Sequence, residues 1–160
     1  MIEFGRFAAR DRRERGQRKP ETFDFLGFTH ICRYNWKGKF VLTRYTQRSR
    51  MRSTLQAIKQ ELRYRLHDPI GEMEAWLRRV VRGHLNDFAV PGNSEKISAF
   101  VYHARRLRIR SLRRRSQRSR MPFSRYAPMA DRFLPRPKIL HPFPVARFMA
   151  STRGRSPVRS

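Results

Sequence analysis

Apolar residues between positions 73 and 88 recur at helical spacing. Met73, Trp76, Leu77, Val80, Val81, His84, Leu85 and Phe88 fall at i, i+3, i+4, i+7, i+8, i+11, i+12 and i+15, which is one wide face of an α-helix. The pattern predicts a core-facing helix from about Gly71 to Phe88, with Arg78, Arg79 and Arg82 on its opposite face. Pro91-Gly92-Asn93 ends it and offers Asn93 as an N-cap for the element that follows.

The same test finds a helix on each side. Met51, Leu55, Ile58, Leu62 and Leu66 predict one from Arg48 to Leu66, stopped by His67-Asp68-Pro69 because a residue before proline avoids helical geometry. After Asn93, Glu95 suits a first turn, and Ile97, Phe100, Ala104 and Leu107 mark a buried stripe. Three amphipathic helices with short connections predict a small bundle.

Before the helices the chain is aromatic and β-favouring. Residues 22–31, TFDFLGFTHI, read as one strand interrupted at Gly27 by a bulge or by a close approach of another backbone. Phe40 to Thr43 reads as a second strand, joined to the first by a turn at Lys37-Gly38 with Trp36 near the tip. Ile2 to Phe7 reads as a short strand, like one cut from a longer sheet, and Ala8 to Lys19 as a charged stretch running into a loop. Beyond Met121, residues 124–134 suit a short helix, provided Pro128 lies in its first turn or breaks it. Pro135, Pro137, Pro142 and Pro144 force an extended segment with Ile139, Leu140 and Phe143 as apolar anchors, and residues 151–160 read as disordered. The expected fold class is therefore α+β: a small N-terminal antiparallel hairpin (1–46), a three-helix bundle (47–120), a basic Pro-rich extension (121–150) and a disordered tail (151–160).

Charge changes what this small fold is for. The 160 residues hold 38 Lys and Arg against 12 Asp and Glu, a net charge of +26, and such a body repels itself unless a polyanion accompanies it. Hydrophobic residues make up 39% of the chain, too many for a simple disordered arm. Nine arginines fall within residues 105–120, at 105, 106, 108, 110, 113, 114, 115, 118 and 120. A merely solvated helix face would mix signs, and arginine favours bidentate phosphate contacts, so the cluster predicts nucleic-acid binding. Cys32 is the only cysteine and the five histidines are scattered, which argues against a zinc site or a disulfide. No apolar run approaches the roughly 18 residues of a membrane span, and the first residues lack the pattern of a signal peptide. The expected setting is cytoplasmic, associated with RNA or the nucleoid, with no membrane partner.

Three separated blocks, PETFDFLGFTHI (20–31), WLRRVVRGHLNDFAVPGNS (76–94) and LRRRSQRSRM with ADRFLPRPKILHPFP (112–144), together resemble the group II intron-encoded reverse transcriptase/maturase family. The resemblance runs from about Ile2 to Phe148. It implies that the first block is the last hairpin of the palm, with Leu26, Gly27 and Phe28 in a primer-grip-like turn. It also implies a thumb, or maturase domain, carrying Trp76, Arg79, Gly83 and His84 on its second helix. Basic C-terminal blocks would then hold Arg113, Arg114, Arg115, Lys138, His141 and Pro142. Two features depart from the family pattern: Arg33 stands where a glycine is expected, and Pro128 falls within a usually continuous helix.

What the resemblance implies for function is binding of intron RNA, assistance to its folding and splicing, and a part in retrohoming of a mobile element. The parent enzymes copy RNA into DNA through a Tyr-x-Asp-Asp box whose aspartates bind two metal ions. This sequence contains no such box and no Cys/His cluster of an HNH endonuclease. The expectation is a non-catalytic RNA-binding fragment without a cofactor of its own, Mg2+ entering only through the parent enzyme or bound RNA. The RNA-binding residues would be Arg78, Arg79, Arg82, Arg105, Arg106, Arg108, Arg110, Arg113, Arg114, Arg115, Lys138 and His141. Partners would be group II intron RNA, target DNA, or a separately encoded finger and palm half. The alternatives are the thumb half of a split reverse transcriptase, a ribosomal-type RNA-stabilising protein, and a mobile-element remnant without function.

Overall fold

The computed structural model describes residues 4–5, 7–17, 21–115 and 122–143. In chain order these form α1 (Ala8–Glu14), β1 (Phe23–Phe25), β2 (Phe28–Tyr34), β3 (Phe40–Thr46), α2 (Arg48–Tyr64), α3 (Ile70–Phe88), α4 (Ser94–Arg115) and α5 (Phe123–Phe133). The fold is α+β, an antiparallel sheet in the order β1-β2-β3 followed by helices.

Residues 23–46 form three strands where two were expected. The run 22–31 folds back on itself, because Leu26 (φ 50°) and Gly27 (φ 80°) both adopt left-handed geometry and close a two-residue turn between the paired Phe25 and Phe28. Gly27 is thus a turn residue and not a bulge. Another backbone does approach it, the Gln47 amide donating to its carbonyl at 2.8 Å, and a Cβ there would also meet the Phe88 ring at 3.2 Å. The second turn is held by Asn35, whose Oδ1 accepts the amides of Lys37 (3.0 Å) and Lys39 (2.9 Å), leaving Trp36 at the tip 89% exposed.

The N-terminal expectations also change. Phe4, Gly5 and Phe7 are not in a strand, and part of the charged stretch after them is α1. Arg12 of α1 pairs with Glu21 at 3.2 Å, tying the helix to the start of the sheet. The expected disordered tail at 151–160, and Arg118 and Arg120, lie outside the described residues.

The bundle follows the periodicity closely. The core gathers Ile58 and Leu62 of α2 with Met73, Leu77, Val81 and Leu85 of α3 and Ile97, Phe100, Val101 and Ala104 of α4. Trp76 and Val80 pack on it half-buried. The fourth helix, α5, adds Tyr126, Ala130 and Leu134 from the turn beyond it. Pro128 sits inside α5, past its first turn, and the helix continues through it. The extended segment after α5 is anchored by its backbone and not by Ile139, Leu140 or Phe143, which stay exposed. The amides of Leu140 and His141 both donate to the Ala89 carbonyl, at 2.9 and 3.2 Å.

Asn93 joins the two layers. It precedes α4 as expected, but its side chain turns to the sheet: Oδ1 accepts the Thr46 amide at 2.9 Å, and Nδ2 donates to Thr46 Oγ1 at 2.7 Å and to the Phe88 carbonyl at 2.8 Å. One fully buried amide thereby fixes the end of β3 against the α3–α4 connection.

Candidate nucleic-acid interface

Between the sheet, α2 and α4 runs a groove of about 900 Å3. Alternation along β2 and β3 turns Thr29, Ile31 and Tyr45 to the same side of the sheet, where they form one wall. Met51 and Leu55 of α2 and Leu107 of α4 form an apolar floor. Met51, Leu55 and Leu107 are half-buried at the edge of the core, so the groove floor continues the core's apolar surface.

Its rim is cationic. Arg48, Arg52 and Lys59 of α2 face Lys96, Arg106 and Arg110 of α4, and among the described residues no carboxylate lines the groove, although Lys96 pairs with Glu95 beside it at 2.9 Å. Tyr45 is held between two of the nearby cations: Arg33 donates to its hydroxyl at 2.8 Å with the guanidinium 5.6 Å from the ring centre, and Lys96 Nζ lies 5.2 Å from the same ring. Asp24, on the neighbouring strand, accepts hydrogen bonds from Thr29 and Gln47, which hold its carboxyl below the usual range. Cations gathered along an apolar-floored groove give it a positive potential that would attract anions, most strongly at low salt.

The arginine cluster divides among three environments. Arg106, Arg110 and Arg114 project from one face of α4, spaced four residues apart, with Lys59 and Arg63 of α2 beside Arg110 and Arg114 around a smaller depression. Arg113 faces a pocket on the other side, toward Phe123. Arg108, Arg105 and Arg115 are tied into the protein. Arg108 is 0% exposed, with Nε donating to Glu74 Oε1 at 2.9 Å and Nη1 to Met73 Sδ at 3.6 Å, so it cannot reach RNA. Arg105 pairs with Asp131 of α5, and Arg115 donates to the Asp68 carbonyl.

Arg78, Arg79 and Arg82 are exposed on α3, as their helix face predicted, but they do not line the groove. Lys138 is exposed on the extended segment. His141 is held structurally, its Nε2 lying 2.6 Å from the Asn86 carbonyl near the end of α3. Leu26, Gly27 and Phe28 border a separate cleft of about 390 Å3 with Arg50, Val80 and His84. There His84 is buried and stacks on Phe100 with ring centres 3.6 Å apart, and burial pulls its pKa down to about 4.

Sequence reasoning missed Arg48, Arg52, Lys59 and Lys96 as binding residues, and the Tyr45 wall of the groove. Arg48 and Arg52 belong to a short run of arginines at 44, 48, 50 and 52, and only the tertiary packing brings them and Lys59 of α2 opposite Lys96, Arg106 and Arg110 of α4. Arg108 could have been found: it continues the spacing of Ile97, Val101 and Ala104 and precedes Ser111 by three, all positions on the buried face. Among the described residues no helix is long and apolar enough to cross a membrane. No protein-family model, curated protein or solved structure matches the chain.

Proposed function

We propose that this protein binds structured RNA through the groove between β2, β3, α2 and α4, acting as a maturase-type fragment that assists folding and splicing of a group II intron without polymerase activity of its own. The observation that carries the reading is a groove rimmed by six Arg and Lys side chains with no carboxylate among its described lining residues. A-form RNA offers backbone and shape more readily than base edges, and guanidinium groups complement its phosphates. Assignment to an intron rests on the three sequence blocks alone.

The test is direct. Fluorescence anisotropy with a labelled RNA hairpin should show saturable binding by the full chain, lost stepwise on replacing Lys59, Arg106 and Arg110 by glutamine. Acceleration of splicing of a group II intron near physiological magnesium tests the second part, and RNA binding without any such acceleration would leave a general RNA binder.

A second reading is the thumb half of a split reverse transcriptase, completed by a separately encoded finger and palm. It is favoured by the sheet, in which β1 and β3 each have one paired neighbour among the described residues. Primer extension that appears only on mixing the two halves would establish it.

A further inference from the structure

On the far side of the Arg106–Arg110 ridge lies a second, smaller pocket of about 250 Å3, lined by Tyr102, Arg106, Ile109, Arg110 and Arg113 of α4 and by Phe123 of α5. We propose that it receives a single unpaired nucleotide of the RNA whose paired stem occupies the large groove, an inference that rests on the RNA-binding reading above.

Size, shape and charge point to the same occupant. The volume falls below the roughly 300–1,000 Å3 of sites for drug-sized ligands, and suits one flat ring system with little more. Tyr102 and Phe123 meet edge to face, ring centres 5.6 Å apart at 66°, and form an aromatic corner on which a base can stack. Three guanidinium groups border the pocket and, among the described residues, no carboxylate does, which favours an anionic ligand. Arg106 is already oriented there, its Nη1 donating to the Tyr102 hydroxyl at 3.0 Å and its guanidinium 5.7 Å from the Tyr102 ring.

The geometry also explains why the ligand belongs to the same RNA. Arg106 and Arg110 line both the groove and this pocket, so a phosphate on the ridge between them is contacted from either side. The Arg110 side chain has no hydrogen bond or ion pair to any other described residue, which leaves its five donors for a ligand. A strand running over the ridge would keep its backbone on these arginines while one base turns into the aromatic corner. The protein would thereby distinguish a stem carrying an unpaired nucleotide from a continuous one.

The experiment compares two labelled RNA hairpins, one fully paired and one with a single unpaired nucleotide in the stem, by fluorescence anisotropy at fixed salt. Wild-type protein should bind the second about tenfold more tightly, the value of stacking one base on an aromatic side chain. Tyr102→Ala should abolish that preference while holding the affinity for the paired hairpin within about threefold. Phe123→Leu, which keeps an apolar side chain and removes only the ring, should do the same and guards against loss of α5 packing. Equal wild-type affinity for the two hairpins overturns the pocket assignment but leaves groove binding intact, as does a preference that survives both substitutions. Failure of the wild type to bind either hairpin overturns the RNA-binding reading and this inference with it.

Discussion

Arg108 Nε donates to Glu74 Oε1 at 2.9 Å across the contact between α4 and α3, and neither residue lies at the surface: the side chains are 0% and 14% exposed. Burial raises the Glu74 pKa, outweighing the lowering from Arg108 beside it. Such a pair is weak evidence of net stabilisation, but breaking it strands a buried charge. Arg108→Met should therefore destabilise the protein by about 3–5 kcal/mol in urea denaturation. The double variant with Glu74→Leu should recover most of that loss and bind RNA like the wild type. Loss of RNA affinity in the recovered double variant would return Arg108 to the binding surface.

Asn93→Ala removes three hydrogen bonds at one buried position and leaves the Thr46 amide and the Phe88 carbonyl without this partner. The expected cost is about 3 kcal/mol, since each buried polar group left unsatisfied costs roughly 1–3 kcal/mol. Amide exchange should accelerate most in β3, because its end loses its attachment to the helices. A uniform effect across the sheet and bundle would argue against Asn93 as the local clamp.

The turn at Leu26-Gly27 contains a correctable strain. A leucine at φ 50° costs about 1 kcal/mol relative to a residue that tolerates left-handed geometry. Leu26 is also 78% exposed, so it has little packing to lose. Leu26→Asn creates the Asn-Gly pair favoured at such turns and should raise stability by about 1 kcal/mol. A destabilised variant would mean that β1 and β2 are not joined in this way.

Acid should weaken the fold through His84. The folded imidazole takes up a proton only near pH 4, whereas the unfolded value is 6.5, so between these values the unfolded chain binds the extra proton. Stability contributed by neutral His84 is complete above about pH 6.5 and falls as pH drops toward 4, by roughly 3 kcal/mol in all. Glu74 opposes this slope: with its folded pKa above 4.5, it adds stability as pH falls through that raised value toward 4.5. His84→Phe isolates the imidazole contribution, and the stability difference between wild type and variant should shift with pH across this window. A difference constant from pH 7 to 4 would contradict the burial of His84.

Legibility followed the strength of the local pattern. The α3 helix was readable almost to the residue because its apolar positions repeat over five turns and a proline precedes Ile70. The turn at Leu26-Gly27 was hidden, since the residue pair that normally announces a two-residue hairpin is Asn-Gly and here leucine takes the first position. The α1 helix has no apolar stripe, and its ion pairs, such as Arg10 with Glu14 at 3.8 Å, are visible only once it is formed. In α4 the charge of Arg108 concealed its periodic position, and the carboxylate that lets it be buried lies on another helix. The placement of Arg48 and Lys59 opposite Arg106 and Arg110, like that of Tyr102 beside Phe123, depends on packing between elements that periodicity does not determine.

The salt dependence of RNA binding tests the central claim most directly. With six cations around the groove, log K should fall against log salt with a slope of roughly −4 to −5, and more steeply where further arginines join. The triple variant Lys59→Gln, Arg106→Gln, Arg110→Gln should lessen that slope by roughly 2–3. A nearly flat dependence in the wild type, or an unchanged slope in the triple variant, would show that the groove is not where the phosphates bind.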